Sequence, residues 1–334
     1  MASIYSVHQY LLSAYNAKSV LFGWAFHSTP HVLEDFGPGF KFFGNGSPEE
    51  IDELEVYLKD GEKEGRKIQA LYLEFPSNPN LGTPDIGRIR KLADAYGFIL
   101  VIDDTIGSFC NVDLLEVADI LLTSLTKSFS GYADLMAASV VLNPSSTRYS
   151  ELKALLKKSY TNQFYNRDAE ALEKNSRDYM ARSVILNNNS LRLVEFLQNL
   201  AEDHNSSVAK VFYPTTLPSL PFYKERMRPA TAEFTPGYGC LFTVELDSIE
   251  ATVAFYDNLN LHKGPHLGAP LTLVIPFVKG IYGKELDRVG KYGMNERQLR
   301  VAPGLEDIDV LIEEFRIAVK AADEVKKNTF MSLT

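Results

Sequence analysis

The chain has 334 residues, of which 45% are hydrophobic and 23% are charged. This length exceeds what one core usually serves and predicts two domains, while the composition excludes a disordered, collagenous or coiled-coil chain. The 43 acidic and 34 basic residues give a formal net charge of −9. Because no Lys/Arg-rich run interrupts this acidity, we expect no binding to nucleic acid or to an anionic membrane.

Cysteine content and hydropathy predict a cytoplasmic protein. The two cysteines, Cys110 and Cys240, are too few for a disulfide scaffold, which favours a reducing compartment. The longest apolar stretches, 98–102 and 271–278, are far shorter than the ~20 residues that span a bilayer. The first residues lack the basic start of a secretory signal, so we expect neither a signal peptide nor a membrane anchor.

The first 142 residues predict strands that alternate with helices. After a first helical segment, strands are expected at 19–24, 40–43, 68–73, 98–102, 120–122 and 136–142, and helices at 30–36, 48–59 and 84–96. This alternation is typical of βαβ units, and so of an α/β fold whose mostly parallel sheet is covered on both faces.

The pattern changes after residue 144. Helices are predicted at 149–160, 168–200, 249–258 and 308–326, and strands at 210–213, 241–246 and 271–275. Because the helix at 168–200 could bridge two domains, we expect a large domain at 1–190 and a smaller C-terminal α/β domain at 191–334. The Pro-rich stretch at 214–236 predicts either a long ordered loop or a mobile flap.

Three predicted strand ends carry polar side chains that a core would not select. These side chains follow the third, fourth and fifth strands in turn: Glu74 with Ser77-Asn78-Pro79, then Asp103-Asp104, then Ser124, Thr126 and Lys127. Ligands of open α/β sheets bind outside the carboxyl ends of the strands. The sequence therefore predicts a site at this edge of the sheet.

The turn Ser124-Leu125-Thr126-Lys127 carries the most specific chemistry. Two hydroxyls and backbone N–H groups form a seat for an anion, and a lysine beside it can form a Schiff base. Together with a carboxylate for a pyridinium nitrogen, these groups could hold pyridoxal phosphate. A capped turn with a solvated lysine has the same spacing, so the pattern alone leaves both interpretations open.

Competing motifs are weak or missing. The sequence has no Gly-x-x-x-x-Gly-Lys-Ser/Thr loop, no Gly-x-Gly-x-x-Gly and no Gly-x-Ser-x-Gly elbow. The pairs His27/His31 and His262/His266 have the spacing of metal ligands on a helix, but a proline interrupts each pair. We therefore expect no metal site.

Four ordered motifs resemble those of the Cys/Met-metabolism family of pyridoxal-phosphate enzymes, which includes cystathionine γ-synthase, cystathionine lyases and O-acetylhomoserine sulfhydrylase. The motifs are Glu74–Pro79, similar to Glu-x-Pro-Ser/Thr-Asn-Pro; Ile102–Thr105, similar to Val-Asp-Asn-Thr; Ser124–Lys127, similar to Ser-x-Thr-Lys; and Leu299–Asp307, similar to Ile-Arg-Leu-Ser-Val-Gly-Leu-Glu-Asp. Segments 175–178 and 263–265 look most like the fungal cystathionine γ-synthase branch. The resemblance implies the fold of the PLP-dependent transferases (fold type I).

The resemblance also implies how the cofactor pyridoxal 5'-phosphate is held. Lys127 would form the Schiff base and, as the catalytic residue, move protons at the substrate Cα and Cβ. Asp103 would pair with the pyridinium nitrogen, and Asn78 would bind the phenolic oxygen of the ring. Ser124 and Thr126 would bind the phosphate.

The substrate end of the implied site departs from the family in two residues. Phe26 stands where the family has a tyrosine, so it would stack on the cofactor ring but has no hydroxyl for proton transfer. His266 stands where a family serine is expected, near the substrate α-carboxylate. Arg300 would bind that carboxylate with its planar two-pronged donors.

The implied activity is γ-replacement on an O-acyl-homoserine. The nucleophile would be cysteine, sulfide, or a carbon or nitrogen nucleophile of a fungal secondary pathway, and the enzyme would be a homodimer or homotetramer acting on a small amino acid. One alternative is an α,γ-elimination lyase. The other is a truncated, non-catalytic paralogue, because Met1 aligns with the methionine of a phosphate-holding Ser-Gly-Met loop. On that alignment the glycine and an upstream Tyr-x-Arg segment, which reaches the neighbouring subunit's phosphate, would be missing.

Overall fold

Two β-sheets follow one another along the chain, and helices pack against each of them. The computed structural model describes residues 1–333, with side chains as far as residue 328. The strands of the first sheet are β1 (Lys18–Phe22), β2 (Phe40–Phe43), β3 (Ile68–Glu74), β4 (Ile99–Asp103), β5 (Ile120–Ser124) and β6 (Ala138–Leu142). Their spatial order is β2-β1-β3-β4-β5-β6. Only β6 is antiparallel to its neighbour in this described sheet, so the predicted mostly parallel sheet is confirmed.

Helices cover both faces of the first sheet. They are α1 (Ala2–Tyr15), α2 (Ser28–Asp35), α3 (Pro48–Lys63), α4 (Ile86–Tyr96) and α5 (Tyr149–Ser159). Successive side chains of a strand point to opposite faces. In β3, Leu71 packs in one core with α3 and α4, whereas Tyr72 packs in the other with α1, α2 and α5. This two-sided burial explains why the strands consist of continuous apolar residues.

The second sheet forms a smaller core. Its strands are β7 (Val208–Phe212), β8 (Phe242–Leu246), β9 (His262–Lys263), β10 (Leu273–Ile275) and β11 (Gln298–Ala302), in the spatial order β7-β8-β11-β10-β9. The remaining helices are α6 (Asn166–Ser176), α7 (Tyr179–Ala201), α8 (Leu220–Arg226), α9 (Ile249–Asn258), α10 (Phe277–Tyr282), α11 (Leu286–Gly290) and α12 (Ile308–Leu333). Apolar residues of α7, α9 and α12 pack on this sheet.

The structure corrects the prediction of one continuous helix over 168–200. The helix is broken between α6 and α7, at residues 177–178. At the break, the Asn175 carbonyl and the Asp178 carboxylate both accept hydrogen bonds from the buried guanidinium of Arg182. The break therefore lies where Asn175 of α6 and Asp178, just before α7, both bind the guanidinium of Arg182. The proposed division into 1–190 and 191–334 falls inside α7 and stays a prediction.

Two further features concern the cysteines and the apolarity of the helices. Cys110 and Cys240 are free, buried thiols. Within the described part of the chain, no helix combines the length and apolarity that crossing a membrane requires. The cytoplasmic location stays a prediction.

Candidate functional site

The carboxyl ends of β3, β4 and β5 lie side by side. Glu74 at the end of β3 is in register with Asp103 at the end of β4, and Asp103 is in register with Leu122 of β5. Because neighbouring parallel strands end at the same edge, the polar residues that follow each strand meet there.

Thr105 joins the ends of β4 and β5. Its backbone N–H donates to Asp103 Oδ1 at 2.9 Å, and its hydroxyl donates to the same oxygen. Thr105 Oγ1 in turn accepts a hydrogen bond from the Ser124 backbone N–H at 2.8 Å. Burial raises the pKa of Asp103, and the bonds from Thr105 oppose this effect. Thr105 lies inside the second motif, but its residue type and position predicted no role for it.

Glu74 links Phe26 to this edge of the sheet. One of its carboxylate oxygens accepts a hydrogen bond from the Phe26 backbone N–H at 2.6 Å. Burial and the neighbouring Asp103 raise the pKa of Glu74 well above its ordinary value. The Phe26 side chain is 42% exposed, so its ring has a surface free for another ring to stack on. Glu74 lies in the first motif, but the sequence predicted no role for it.

The hydroxyl of Thr126 bonds within the protein. It donates to the Ala137 carbonyl at 3.2 Å and accepts from the Ala137 N–H at 2.9 Å. Its single proton is therefore used. The phosphate contact that the resemblance implies for Thr126 would require this bond to open.

Lys127 is a partly buried amine that contacts a histidine ring. Among the ion pairs of the described residues, none includes Lys127. Its Nζ lies 3.3 Å from Nδ1 of His266. Burial, and secondarily the charge of Arg300, lower the pKa of the Lys127 amine. A lowered pKa makes the neutral, nucleophilic amine more accessible at neutral pH.

Arg300 on β11 brings two distant segments together. Its side chain is buried; Nη1 donates to Asn78 Oδ1 at 3.2 Å, and Nη2 donates to the Pro265 carbonyl. The guanidinium carbon lies 4.2 Å from the ring centroid of Phe277. Burial lowers the pKa of Arg300 to about 10, and the group stays cationic at neutral pH. These two bonds use only part of its five-donor capacity.

Arg182 on α7 braces the backbone that follows Lys127, and sequence reasoning missed it. Its Nη1 donates to the Ser128 carbonyl at 2.9 Å, and its Nη2 donates to the carbonyls of Phe129 at 3.0 Å and Ser130 at 3.2 Å. Gly131 leaves room for the guanidinium, since a Cβ there would lie 2.0 Å from Arg182 Nη1. The only signal in the sequence was an arginine on the helix face that also carries apolar residues.

Apart from Thr126, whose hydroxyl bonds to Ala137, the site residues predicted from the sequence form one connected set. Backbone or side-chain contacts run through the following residues in order: Phe26, Glu74, Asp103, Thr105, Ser124, Lys127, His266, Pro265, Arg300 and Asn78. An amine that forms no ion pair with the described residues, a carboxylate and a partly exposed aromatic ring therefore share one site. This donor set fits pyridoxal phosphate.

Comparison with known proteins identifies the family. The model of the Cys/Met metabolism PLP-dependent enzymes matches residues 18–320. The chain belongs to this family. The resemblance stated from the four motifs is thereby confirmed, and so is pyridoxal phosphate as the cofactor of the family.

Fungal members of the Cys/Met-metabolism family are similar to this chain in sequence. The cystathionine gamma-synthase-like enzyme iboG2 of Amanita muscaria is 38% identical over 340 residues, covering 98% of this chain and 54% of the relative. The cystathionine gamma-synthase of Neurospora crassa is 40% identical over 308 residues, covering 92% of this chain and 47% of the relative. The chain thus spans about half the length of the curated relatives it matches.

Solved structures of this family have the same fold. Cystathionine gamma synthase from Xanthomonas oryzae pv. oryzae, in complex with cystathionine, has a TM-score of 0.78 at 19% identity, covering 96% of this chain and 80% of that one. Cystathionine gamma-lyase from Lactobacillus plantarum, complexed with L-serine, has a TM-score of 0.77 at 21% identity. The match covers 95% of this chain and 80% of that one. The predicted fold of PLP-dependent transferases is confirmed.

Proposed function

We propose that this member of the Cys/Met-metabolism family catalyses γ-replacement on an O-acyl-homoserine. The observation that carries the proposal is the partly buried Lys127, which has no counter-ion among the described residues and lies in one connected site with Asp103 and Arg300. When bound, pyridoxal phosphate supplies an electron sink for carbanion chemistry. The names of the fungal relatives, cystathionine gamma-synthase and gamma-synthase-like enzyme, support this class of reaction.

Each residue has a defined task in the proposal. Lys127 would hold the cofactor and would act as the acid and base at the substrate Cα and Cβ, for which a lowered pKa suits it. Asp103 would pair with the pyridinium nitrogen of the cofactor, and Ser124 would bind its phosphate. Arg300 binds the substrate α-carboxylate through its free donors.

The proposal also concerns the nucleophile and the products of the reaction. Two other relatives are named alanine racemase, from Aspergillus violaceofuscus, and L-2-amino-4-chloropent-4-enoate dechlorinase/desaturase, from Streptantibioticus cattleyicolor. Replacement and α,γ-elimination would both use Lys127 and the carboxylate-binding Arg300, so only the products distinguish the two reactions. Replacement with cysteine yields a thioether, and elimination yields a keto acid and ammonia. A homodimer or homotetramer, as expected from the family, stays a prediction that light scattering would check.

The first test is chemical. The purified chain is incubated with pyridoxal phosphate, reduced with borohydride and digested, and the peptides are analysed by mass spectrometry. We expect the reduced cofactor on Lys127 and its loss in Lys127→Ala. Lys263→Ala is the matched control, because burial lowers the pKa of Lys263 too, yet its ammonium is held by the carbonyls of Tyr256 and Leu259.

Two results would count against the proposal. Unchanged labelling in Lys127→Ala would place the cofactor on another lysine. Labelled protein that converts O-acetyl-L-homoserine and cysteine neither to a thioether nor to a keto acid would favour the non-catalytic paralogue.

A further inference from the structure

His27 and His31 lie one helical turn apart at the start of α2. Contrary to the expectation from the sequence, Pro30 does not interrupt this turn, because it is the third residue of α2. A proline is tolerated there, since the first N–H groups of a helix have no intrahelical partner. His27, just before α2, has helical backbone angles, with φ of −43° and ψ of −38°. The two side chains therefore share one face of the helix.

The imidazole rings of this histidine pair lie close together. Their centroids are 4.9 Å apart, and the angle between the ring planes is 57°. A metal ion bonded at ~2.1 Å to one nitrogen of each ring lies ~3.2 Å from each ring centre. For octahedral and tetrahedral bond angles, of ~90° and ~110°, the two ring centres are then ~4.5–5.2 Å apart. The observed separation of the rings therefore fits two imidazoles that bind one ion.

Both rings can offer a nitrogen lone pair to an ion from solution. His31 is exposed and His27 is half-buried, and neither imidazole has a hydrogen bond or an ion pair with a described residue. Imidazole is a ligand that Zn²⁺, Ni²⁺ and Cu²⁺ prefer. Within the described part of the chain, no third His, Cys, Asp or Glu completes a cluster with the pair. Water would therefore occupy the remaining coordination positions.

The histidine pair lies close to the single tryptophan of the chain. The His27 ring packs on Tyr282, with centroids 5.4 Å apart, and the Tyr282 ring packs on Trp24 at 5.6 Å. The Trp24 indole N–H also donates to the Tyr282 hydroxyl at 3.1 Å. An ion bound by the pair would therefore lie near Trp24, whose fluorescence can report its binding.

We propose that His27 and His31 together chelate one divalent transition-metal ion of the group Ni²⁺, Cu²⁺ and Zn²⁺. The pair His262 and His266 has the same spacing in the sequence, but it lies on strand β9 and in the loop that follows. Only on a helix does a spacing of four residues bring two side chains together in this way. The metal site is independent of the proposed function, since neither histidine has a task in it.

Nickel binding to the full chain without an affinity tag tests the site. Ni²⁺ is titrated in a buffer free of amino acids, which would chelate the ion, and binding is followed by calorimetry and by quenching of Trp24 fluorescence. We expect one ion per chain, quenching that EDTA reverses, and no response to Mg²⁺, which prefers oxygen ligands. His27→Gln and His31→Gln should each raise the Kd at least roughly tenfold, because removing a ligand costs no less than removing a group that supports one.

His262→Gln is the matched control and should keep the wild-type Kd for Ni²⁺. Circular dichroism and thermal unfolding without metal establish that each variant is folded. Absence of Ni²⁺ binding in the wild type, or an unchanged Kd in either His27→Gln or His31→Gln, would overturn the proposal. Two ions per chain, of which each substitution removes one, would also overturn it, because the histidines would then bind separately and not as a chelate.

Discussion

Asp103 and Asp104 are adjacent carboxylates with different environments. Asp103 accepts two hydrogen bonds from Thr105 at the ligand edge of the sheet. Asp104 points into the core, where Oδ1 accepts a hydrogen bond from the Thr123 hydroxyl and Oδ2 has no partner among the described residues. Burial raises the pKa of Asp104 to about 7. Their identical residue types do not distinguish the two, and only the resemblance of the second motif assigned the pyridinium contact to Asp103.

We predict that Asp104→Asn makes the protein more stable at pH 7 and less sensitive to pH. A folded-state pKa of about 7, against an ordinary value of 3.8, means that stability is fully present below 3.8 and is lost as the pH rises toward 7. The loss is on the order of 4 kcal/mol at about 1.4 kcal/mol per pKa unit. The amide keeps the acceptor for Thr123 and removes the ionisation.

Urea unfolding at several pH values between 4 and 8 checks this prediction. The difference in unfolding free energy between variant and wild type should grow with pH. Asp203→Asn, at an exposed carboxylate, serves as the control. Parallel pH profiles for Asp104→Asn and the wild type would mean that the carboxyl does not titrate in this range.

At the scale of elements, helix α7 holds the turn that carries Lys127. A single guanidinium, Arg182, binds the three carbonyls of residues 128–130 and the Asp178 carboxylate. Because the turn leaves β5 without becoming a helix or strand, these carbonyls have few partners of their own. The break between α6 and α7 is what lets Asn175 and Asp178 join the same cation.

We predict that Arg182→Lys loosens this turn. An ammonium keeps the charge but cannot reproduce the planar set of donors, so buried carbonyls lose partners and the free energy of unfolding falls by roughly 2–4 kcal/mol. Hydrogen exchange should accelerate most in the peptide covering residues 124–131.

Arg177→Lys is the control for this variant, since Arg177 is an exposed arginine that pairs only with Glu173 among the described residues. Two results would contradict a local role of Arg182 in holding this turn. Hydrogen exchange in Arg182→Lys could rise evenly over the chain, or it could rise no more than in Arg177→Lys.

At the scale of the whole molecule, two buried amides tie the sheets together. Asn187 on α7 and Asn111, in the loop after β4, exchange hydrogen bonds at 2.8 and 3.3 Å. Their oxygens also accept the N–H groups of Gly237 and Gly239, which lead into β8 of the second sheet, at 2.9 and 3.1 Å. Such a satisfied buried network is costly to interrupt.

We predict that Asn187→Ala lowers the free energy of unfolding by roughly 2–4 kcal/mol, because it leaves the Gly239 N–H unpaired and removes two of the four hydrogen bonds of the Asn111 amide. Fluorescence of Trp24, the single tryptophan, and far-UV circular dichroism follow the unfolding. Trp24 packs against Tyr282 of α10, so it also reports on the contact between the two halves of the chain. A loss below about 0.5 kcal/mol, the size typical of a surface change such as Asn205→Ala, would show that the network does not hold the sheets together.

The sequence by itself determined the local features of this protein. Continuous apolar runs predicted the buried strands of the first sheet, because a strand covered on both faces has no polar side. The order of strands and helices then placed Glu74, Asp103 and Lys127 at one edge. The four motifs pointed to the family, since their residues are close in the sequence and keep their spacing.

Only the tertiary structure decided what surrounds Lys127. His266 and Arg300 reach the first sheet from the loop after β9 and from β11. The spacing of hydrophobic residues along the sequence does not show which distant segments come into contact. Strand β11 itself escaped prediction because the polar residues Gln298 and Arg300 interrupt its apolar pattern, although both are buried and hydrogen-bonded. Periodicity records which face of an element is buried, whereas the partners of a buried polar group depend on how distant elements pack.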